Sequence, residues 1–160
     1  MLALARAAAP AMNVTTDLIV GFPGETAKEF AETEEQIASM GFGDMHIFAY
    51  SRREGTPAAR MPGHLSREVK HERSQRIHAL SHRMRAAVCN AHLGTTRSVL
   101  WERARQSENE GFELYRGYTD NYLRVQMEVA AGAHLANTVA PVRLDNVRDD
   151  GTVEGVAVHG

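Results

Sequence analysis

Asp17-Leu18-Ile19-Val20-Gly21-Phe22-Pro23-Gly24-Glu25-Thr26 is the stretch that decides the fold. Leu18, Ile19 and Val20 form a short apolar run, the pattern of a strand covered on both faces. Gly21 lets the chain turn or approach a ligand closely, and Pro23-Gly24 punctuates the turn. Thr26 with Glu29 three residues on is a capping box, so a helix begins there. A strand that feeds a helix through a tight turn belongs to an open α/β sheet or barrel, where ligands sit at the carboxyl ends of strands. The turn Gly21–Glu25 is therefore either a cofactor site or an ordinary strand-to-helix connection. It lacks the Lys-Ser/Thr of a Walker A loop and the glycine spacing of a dinucleotide fingerprint. Glu25 would repel a phosphate, so the adenine and ribose of a nucleotide suit this turn better than its phosphates.

Working outward, the helix runs to Met40 with Phe30, Thr33, Ile37 and Met40 on one face, and Gly41 and Gly43 close it. Asp44–Ser51 is a second strand, with Met45, Ile47 and Ala49 alternating against His46, Phe48 and Tyr50. Strand, helix and strand make one βαβ unit with parallel strands. Such a unit buries too little to stand alone, so further strands are expected before residue 1. Leu2–Ala9 reads as the last turns of a helix ended by Pro10. Arg52–Gly63 is a loop. Ser66 caps a long helix that reaches Gly94 and carries a narrow apolar stripe of Ile77, Leu80, Met84, Val88 and Ala91.

The pattern then changes. Strands are predicted at Arg97–Glu102, Phe112–Tyr118, Tyr122–Val129, Thr138–Leu144 and Thr152–Val158, with turns at Thr119-Asp120-Asn121 and Asp149-Asp150-Gly151. Five short strands suit a small closed barrel of the OB type. The fold class is thus α/β followed by all-β: a βαβ fragment, a long connecting helix, and a five-stranded barrel.

The 160 residues are 43% hydrophobic and 24% charged, which is ordinary for a globular chain. No apolar run reaches a membrane-spanning length, so no membrane partner is expected, and the Ala-rich opening is too short for a secretory signal. The single cysteine, Cys89, excludes an internal disulfide and a zinc or iron–sulfur site built from cysteines of this chain. A reducing, cytoplasmic setting is the expectation. Charge is uneven. Between Arg52 and Arg85 lie Arg52, Arg53, Arg60, Arg67, Lys70, Arg73, Arg76, Arg83 and Arg85 against Glu54, Glu68 and Glu72. The segment from Gly94 onward is net acidic. The basic helix is a candidate for nucleic acid through Arg73, Arg76 and Arg83, or else a solvated helix face.

His78 and His82 have a spacing that can hold a metal, but nothing completes a ligand set, and no metal ligand is predicted. No nucleophile–base pair stands out, so no catalytic residue is assigned. Tyr115, Tyr118 and Tyr122 flank one turn of the predicted barrel beside Arg116 and Arg124. Aromatics and arginines so placed stack bases in some barrels; core or surface tyrosines are the alternative.

Thr15 through Thr26, and His46-Ile47-Phe48-Ala49-Tyr50-Ser51-Arg52-Arg53-Glu54-Gly55-Thr56-Pro57-Ala58-Ala59, resemble two late barrel strands of the radical-SAM methylthiotransferases. Thr95–Gly160 resembles their C-terminal TRAM domain, a small barrel that binds tRNA. Gly117-Tyr118-Thr119-Asp120-Asn121-Tyr122 is most similar to the branch acting on N6-threonylcarbamoyladenosine in tRNA. The resemblance implies the end of a radical-SAM (TIM-like) barrel over 1–63, a basic connector over 64–94 and a TRAM barrel over 95–160. It implies S-adenosylmethionine against Ile19, Gly21, Phe22, Phe48 and Tyr50, and Arg53 at the barrel mouth facing tRNA. The family's 4Fe–4S clusters need cysteine sets this sequence lacks. No cofactor is therefore expected to bind stably here alone, and activity requires the N-terminal and barrel portions of the same enzyme. The alternative is a non-catalytic RNA-binding module.

Overall fold

The structure is a computed structural model that describes residues 2–158. It divides into two compact units: Val14–Arg85 with Leu2, and Ala3–Asn13 with 86–158.

In the first unit, β1 (Thr15–Val20) and β2 (Asp44–Ala49) pair in parallel, with Leu18 beside Ile47 and Ile19 beside Phe48. The crossover helix α2 (Ala27–Met40) starts at a true capping box: the Glu29 amide donates to the Thr26 hydroxyl at 3.2 Å, and the Thr26 amide donates to the Glu29 carboxylate at 2.8 Å. Gly41 ends the helix in the left-handed conformation. A second helix, α3 (Arg67–Ala91), completes the unit with its residues up to Arg85. Its Ile77, Leu80 and Met84 join Val20, Phe30, Ile37, Phe42 and Met45 in one buried cluster. Each such side chain contributes about 1.5–3 kcal/mol by leaving water.

The strands are covered on one face only. Leu18 and Val20 face the core, whereas the register partners Ile19 and Phe48 are 52% and 54% exposed. The expectation of cover on both faces is corrected here. Three consecutive apolar residues look alike in sequence, but successive side chains point to opposite faces, and the helices pack on one.

In the second unit, α1 (Leu2–Ala8) leads into the segment that ends at Asn13. The strands β3 (Thr96–Gln106), β4 (Phe112–Thr119), β5 (Arg124–Ala130), β6 (Val139–Val147) and β7 (Val153–Ala157) close a barrel in the order β3-β4-β5-β7-β6. Only the β5–β7 pair is parallel, and the five-stranded OB-type barrel expected from sequence is present. β3 runs past the predicted end at Glu102 through a register shift between Trp101 and Ala104. β5 begins at Arg124, because Tyr122 has a left-handed backbone (φ 63°) and cannot extend the strand. Val99, Trp101, Tyr115, Leu123, Val125, Met127, Val142, Leu144 and Val153 fill the interior with Cys89 of α3. At Gly117 a Cβ would collide with the Leu100 carbonyl oxygen. Among the described residues, no helix is long and apolar enough to cross a membrane.

Candidate functional site

The carboxyl ends of β1 and β2 lie side by side because the strands are parallel and in register. Gly21 follows β1 with φ +73°, and its amide donates to the Glu25 carboxylate at 2.9 Å. Arg73 of α3 pairs with that carboxylate and donates to the Glu25 main-chain oxygen at 3.0 Å. Its guanidinium also lies 5.1 Å from the centre of the Phe30 ring. One turn earlier, Lys70 Nζ donates to the Tyr50 carbonyl oxygen at 3.1 Å, and its stem occupies the space a Cβ on Gly21 would need. Gly21 is thus required both by its backbone angle and by the approach of α3. Two side chains of one helix tie down the turn after β1 and the end of β2.

Around this junction the rings of Phe22 and Tyr50 meet edge to face at 5.3 Å, and Tyr50 lies 5.9 Å from the His64 ring. The Tyr50 hydroxyl is buried and has no hydrogen-bond partner among the described residues. A shallow concavity of about 340 Å³ is lined by Phe22, Pro23, Gly24, Glu25 and Glu29. The structure therefore brings Ile19, Gly21, Phe22, Phe48 and Tyr50 to one end and one open face of the sheet. Glu25 does not behave as its sequence position suggests. Its carboxylate is turned back onto Gly21 and Arg73, so it serves the turn rather than opposing a ligand.

The arginines of the basic segment fall into two groups. Arg73 is a correction: predicted as a phosphate contact, its side chain is only 8% exposed and is neutralised by Glu25. Arg76 pairs with Glu34 and lies over Phe30, yet remains 48% exposed, and Arg85 pairs with Asp44. Of the acids that answer these charges, Glu25 lies in the turn after β1, Glu34 on α2 and Asp44 on β2, all outside the basic segment and beyond its local charge count; Glu72, 3.7 Å from Arg76, is the local one. Arg53 and Arg83 are exposed.

Tyr115 is a second correction. It is 3% exposed in the barrel core, its ring 6.4 Å from Trp101, its hydroxyl shared between the Glu113 carboxylate and the Leu135 amide. Alternation along β4 sends Tyr115, Gly117 and Thr119 inward and leaves Arg116 and Tyr118 half-buried, so Tyr115 offers no face to a base. Tyr118 is the register partner of the exposed Arg124 on β5, and its ring is 6.3 Å from that of Tyr122. Tyr122 is 79% exposed. Arg116 lines a larger polar concavity, with its Nε buried and unpartnered among the described residues.

The turn that carries Tyr122 is built on a buried amide. Asn121 accepts from the Thr119 hydroxyl at 2.5 Å and donates to the Ala11 carbonyl at 2.8 Å and to His92 Nε2 at 3.3 Å. Burial holds the His92 imidazole below its ordinary pKa, with Arg97 adding to this and Asp120 opposing it.

Over 118 residues the chain is 42% identical to the threonylcarbamoyladenosine tRNA methylthiotransferase MtaB of Bacillus subtilis (strain 168), a match covering 74% of this chain and 26% of that protein. The chain is thus homologous to part of a tRNA methylthiotransferase. It is also 40% identical over 124 residues to the tRNA-2-methylthio-N(6)-dimethylallyladenosine synthase of Bordetella avium (strain 197N), covering 77% of this chain and 25% of that one. The synthase of the same name from Mycobacterium sp. (strain MCS) is 46% identical over 95 residues, 59% of this chain and 18% of that one. The chain thus spans about a quarter or less of the length of these methylthiotransferases. No protein-family model matches it.

Sequence reasoning missed Lys70, Glu25 and His92 as organisers of these sites. Lys70 and Arg73 sit three apart on one helix face, a spacing visible in the sequence, but nothing local says that they meet Tyr50 and Glu25. For a methylthiotransferase segment the fit to cofactors is uneven. The open apolar face of Ile19 and Phe48, and the orphaned Tyr50 hydroxyl, fit an adenosyl group. An iron–sulfur cluster does not fit: the one cysteine is buried, its Sγ against the Gly151 carbonyl at 3.7 Å.

Proposed function

We propose that this chain is the tRNA-holding segment of a methylthiotransferase, supplying one wall of its S-adenosylmethionine site and an RNA-binding barrel. The observation that carries the reading is the 42% identity over 118 residues to the Bacillus subtilis enzyme, whose name specifies threonylcarbamoyladenosine in tRNA. The same nucleoside is favoured here over dimethylallyladenosine, in keeping with the Gly117–Tyr122 turn. In the bound enzyme S-adenosylmethionine supplies the radical and the methyl group. This chain's part is placement: Ile19 and Phe48 give an apolar shelf for the adenine, Phe22 and Tyr50 bound it, and Gly21 brings backbone close to it. With no cysteine set for a cluster, the segment is inactive by itself and works with the rest of the enzyme. Phosphate contacts come from Arg53, Arg83, the outer part of Arg76, Arg116 and Arg124, and base contacts from Tyr118 and Tyr122.

The test is a chimera. This chain replaces the matching segment of the Bacillus subtilis enzyme in a strain lacking that enzyme, and nucleosides from its tRNA are analysed by mass spectrometry. Recovery of the methylthiolated threonylcarbamoyladenosine is expected. A soluble chimera that modifies no tRNA sinks the reading; one that methylthiolates dimethylallyladenosine instead moves the substrate.

A further inference from the structure

We propose that the concavity beside Tyr122 is a pocket for a single unstacked nucleobase of looped or single-stranded RNA, with the Tyr122 ring as its stacking wall. This rests on the reading that the chain binds tRNA. The concavity measures about 420 Å³ and is lined by Pro10, Ala11, Met12, Arg97, Asp120 and Tyr122, among others. Pro10, Ala11 and Met12 give it an aliphatic side. Arg97 and Asp120, paired at 2.8 Å, set cationic donors and a carboxylate acceptor at its rim. A nucleobase has the matching anatomy, two apolar faces and an edge of donors and acceptors. Exposed Arg124, the register partner of Tyr118 on β5, adds a cation for the phosphate that follows the base.

The backbone supplies an independent argument. A left-handed φ is uncommon for a bulky residue and costs free energy, so it persists only where the surroundings fix it. Here they do. The Tyr122 amide donates to the Thr119 carbonyl at 2.9 Å, the Thr119 amide to the Leu123 carbonyl at 3.0 Å, and the Leu123 amide to the Thr119 hydroxyl at 2.8 Å. Buried Asn121 then ties the turn to Ala11 and His92. The Ala11 carbonyl is only an acceptor, so the amide nitrogen of Asn121 must face it. Wall and aliphatic side of the concavity therefore share one buried network. The residue this network holds in place is nonetheless 79% exposed. Core packing explains none of that exposure. A ring held rigidly in solvent loses little freedom when a base stacks on it, which is the requirement of a binding platform.

The test uses the whole chain and a fluorescently labelled anticodon stem-loop RNA, followed by anisotropy, with a blunt RNA duplex as competitor. Tyr122→Gly keeps the turn, since glycine adopts this backbone freely, and removes the ring. Its melting temperature should equal or exceed that of the wild type while loop-RNA binding weakens roughly tenfold, within the range a stacked base spans. Tyr122→Phe should bind within about twofold of wild type. The ¹³C-methyl resonance of Met12 should shift when the RNA is added to the wild type and stay still in Tyr122→Gly, and the duplex should compete poorly. Equal binding by Tyr122→Gly, a silent Met12 methyl, or a duplex that competes as well as the loop overturns the pocket and leaves tRNA binding standing. A wild-type chain that binds neither tRNA nor stem-loop takes down the tRNA-binding reading itself, and the pocket with it.

Discussion

The α/β unit and the barrel treat their strands in opposite ways. The barrel's five strands close on themselves, so every strand has two neighbours and the interior is filled by aliphatic and aromatic side chains of its own. The α/β unit has two strands, helices on one face, and Ile19 and Phe48 presented on the other. Yet its strand ends are held more tightly than the open face suggests, by Lys70 and Arg73 acting on Tyr50, Gly21 and Glu25. The barrel draws its order from apolar packing, and the α/β junction from charged hydrogen bonds. A chain can thus combine one self-sufficient unit with one whose apolar face is free to take a ligand or further structure, provided the free side is made rigid from behind.

That contrast breaks most sharply at the two anchors. Trp101 is fully buried in the barrel, and Trp101→Ala should cost about 3–5 kcal/mol in chemical denaturation, with loss of the near-ultraviolet signal of the barrel. Arg73→Met leaves the Glu25 carboxylate, 15% exposed, without its partner, and should cost about 3 kcal/mol, whereas Arg76→Met, at a pair half in water, should cost below about 1 kcal/mol. Equal costs for the two would mean that α3 does not grip the strand ends as described. Amide exchange at Gly21 gives the local readout: it should quicken in Arg73→Met and not in Arg76→Met.

A smaller effect separates the barrel unit by pH. The folded state holds His92 below its ordinary pKa, so between the folded value and about 6.5 the unfolded chain binds the extra proton. The contribution of neutral His92 is complete above about pH 6.5 and is lost as pH falls through that window. Denaturation midpoints measured from neutral to mildly acidic pH should fall for the wild type and flatten in His92→Gln. A titration of the His92 ring by NMR that centres at or above the ordinary value contradicts this. The smallest change in stability belongs to the open sheet face: Ile19→Ser and Phe48→Ser should each alter the unfolding free energy measured by chemical denaturation by less than about 0.5 kcal/mol. A large loss of stability would show that this face is already packed.

The secondary-structure elements are legible in the residues alone. Capping at Thr26, the left-handed stop at Gly41, the alternation through Val125 and Met127 and the turn before Gly151 are local, set by hydrogen-bonding chemistry and side-chain period over a few residues. The identity of the fold class followed from their order, and the family from two motifs long enough to be specific. The fate of particular side chains within correct elements depends instead on long-range packing. Arg73 and Arg76 look alike in the chain, but one is buried on Glu25 and the other half in water, because helix rotation and the position of α2 choose between them. Tyr115 and Tyr122 bracket the same stretch, but the pleat of β4 drives one into the core and a left-handed backbone lifts the other out. Charge and aromaticity are properties of residues and are read directly. Exposure and partnership are properties of pairs far apart in the chain, and only the folded contacts set them.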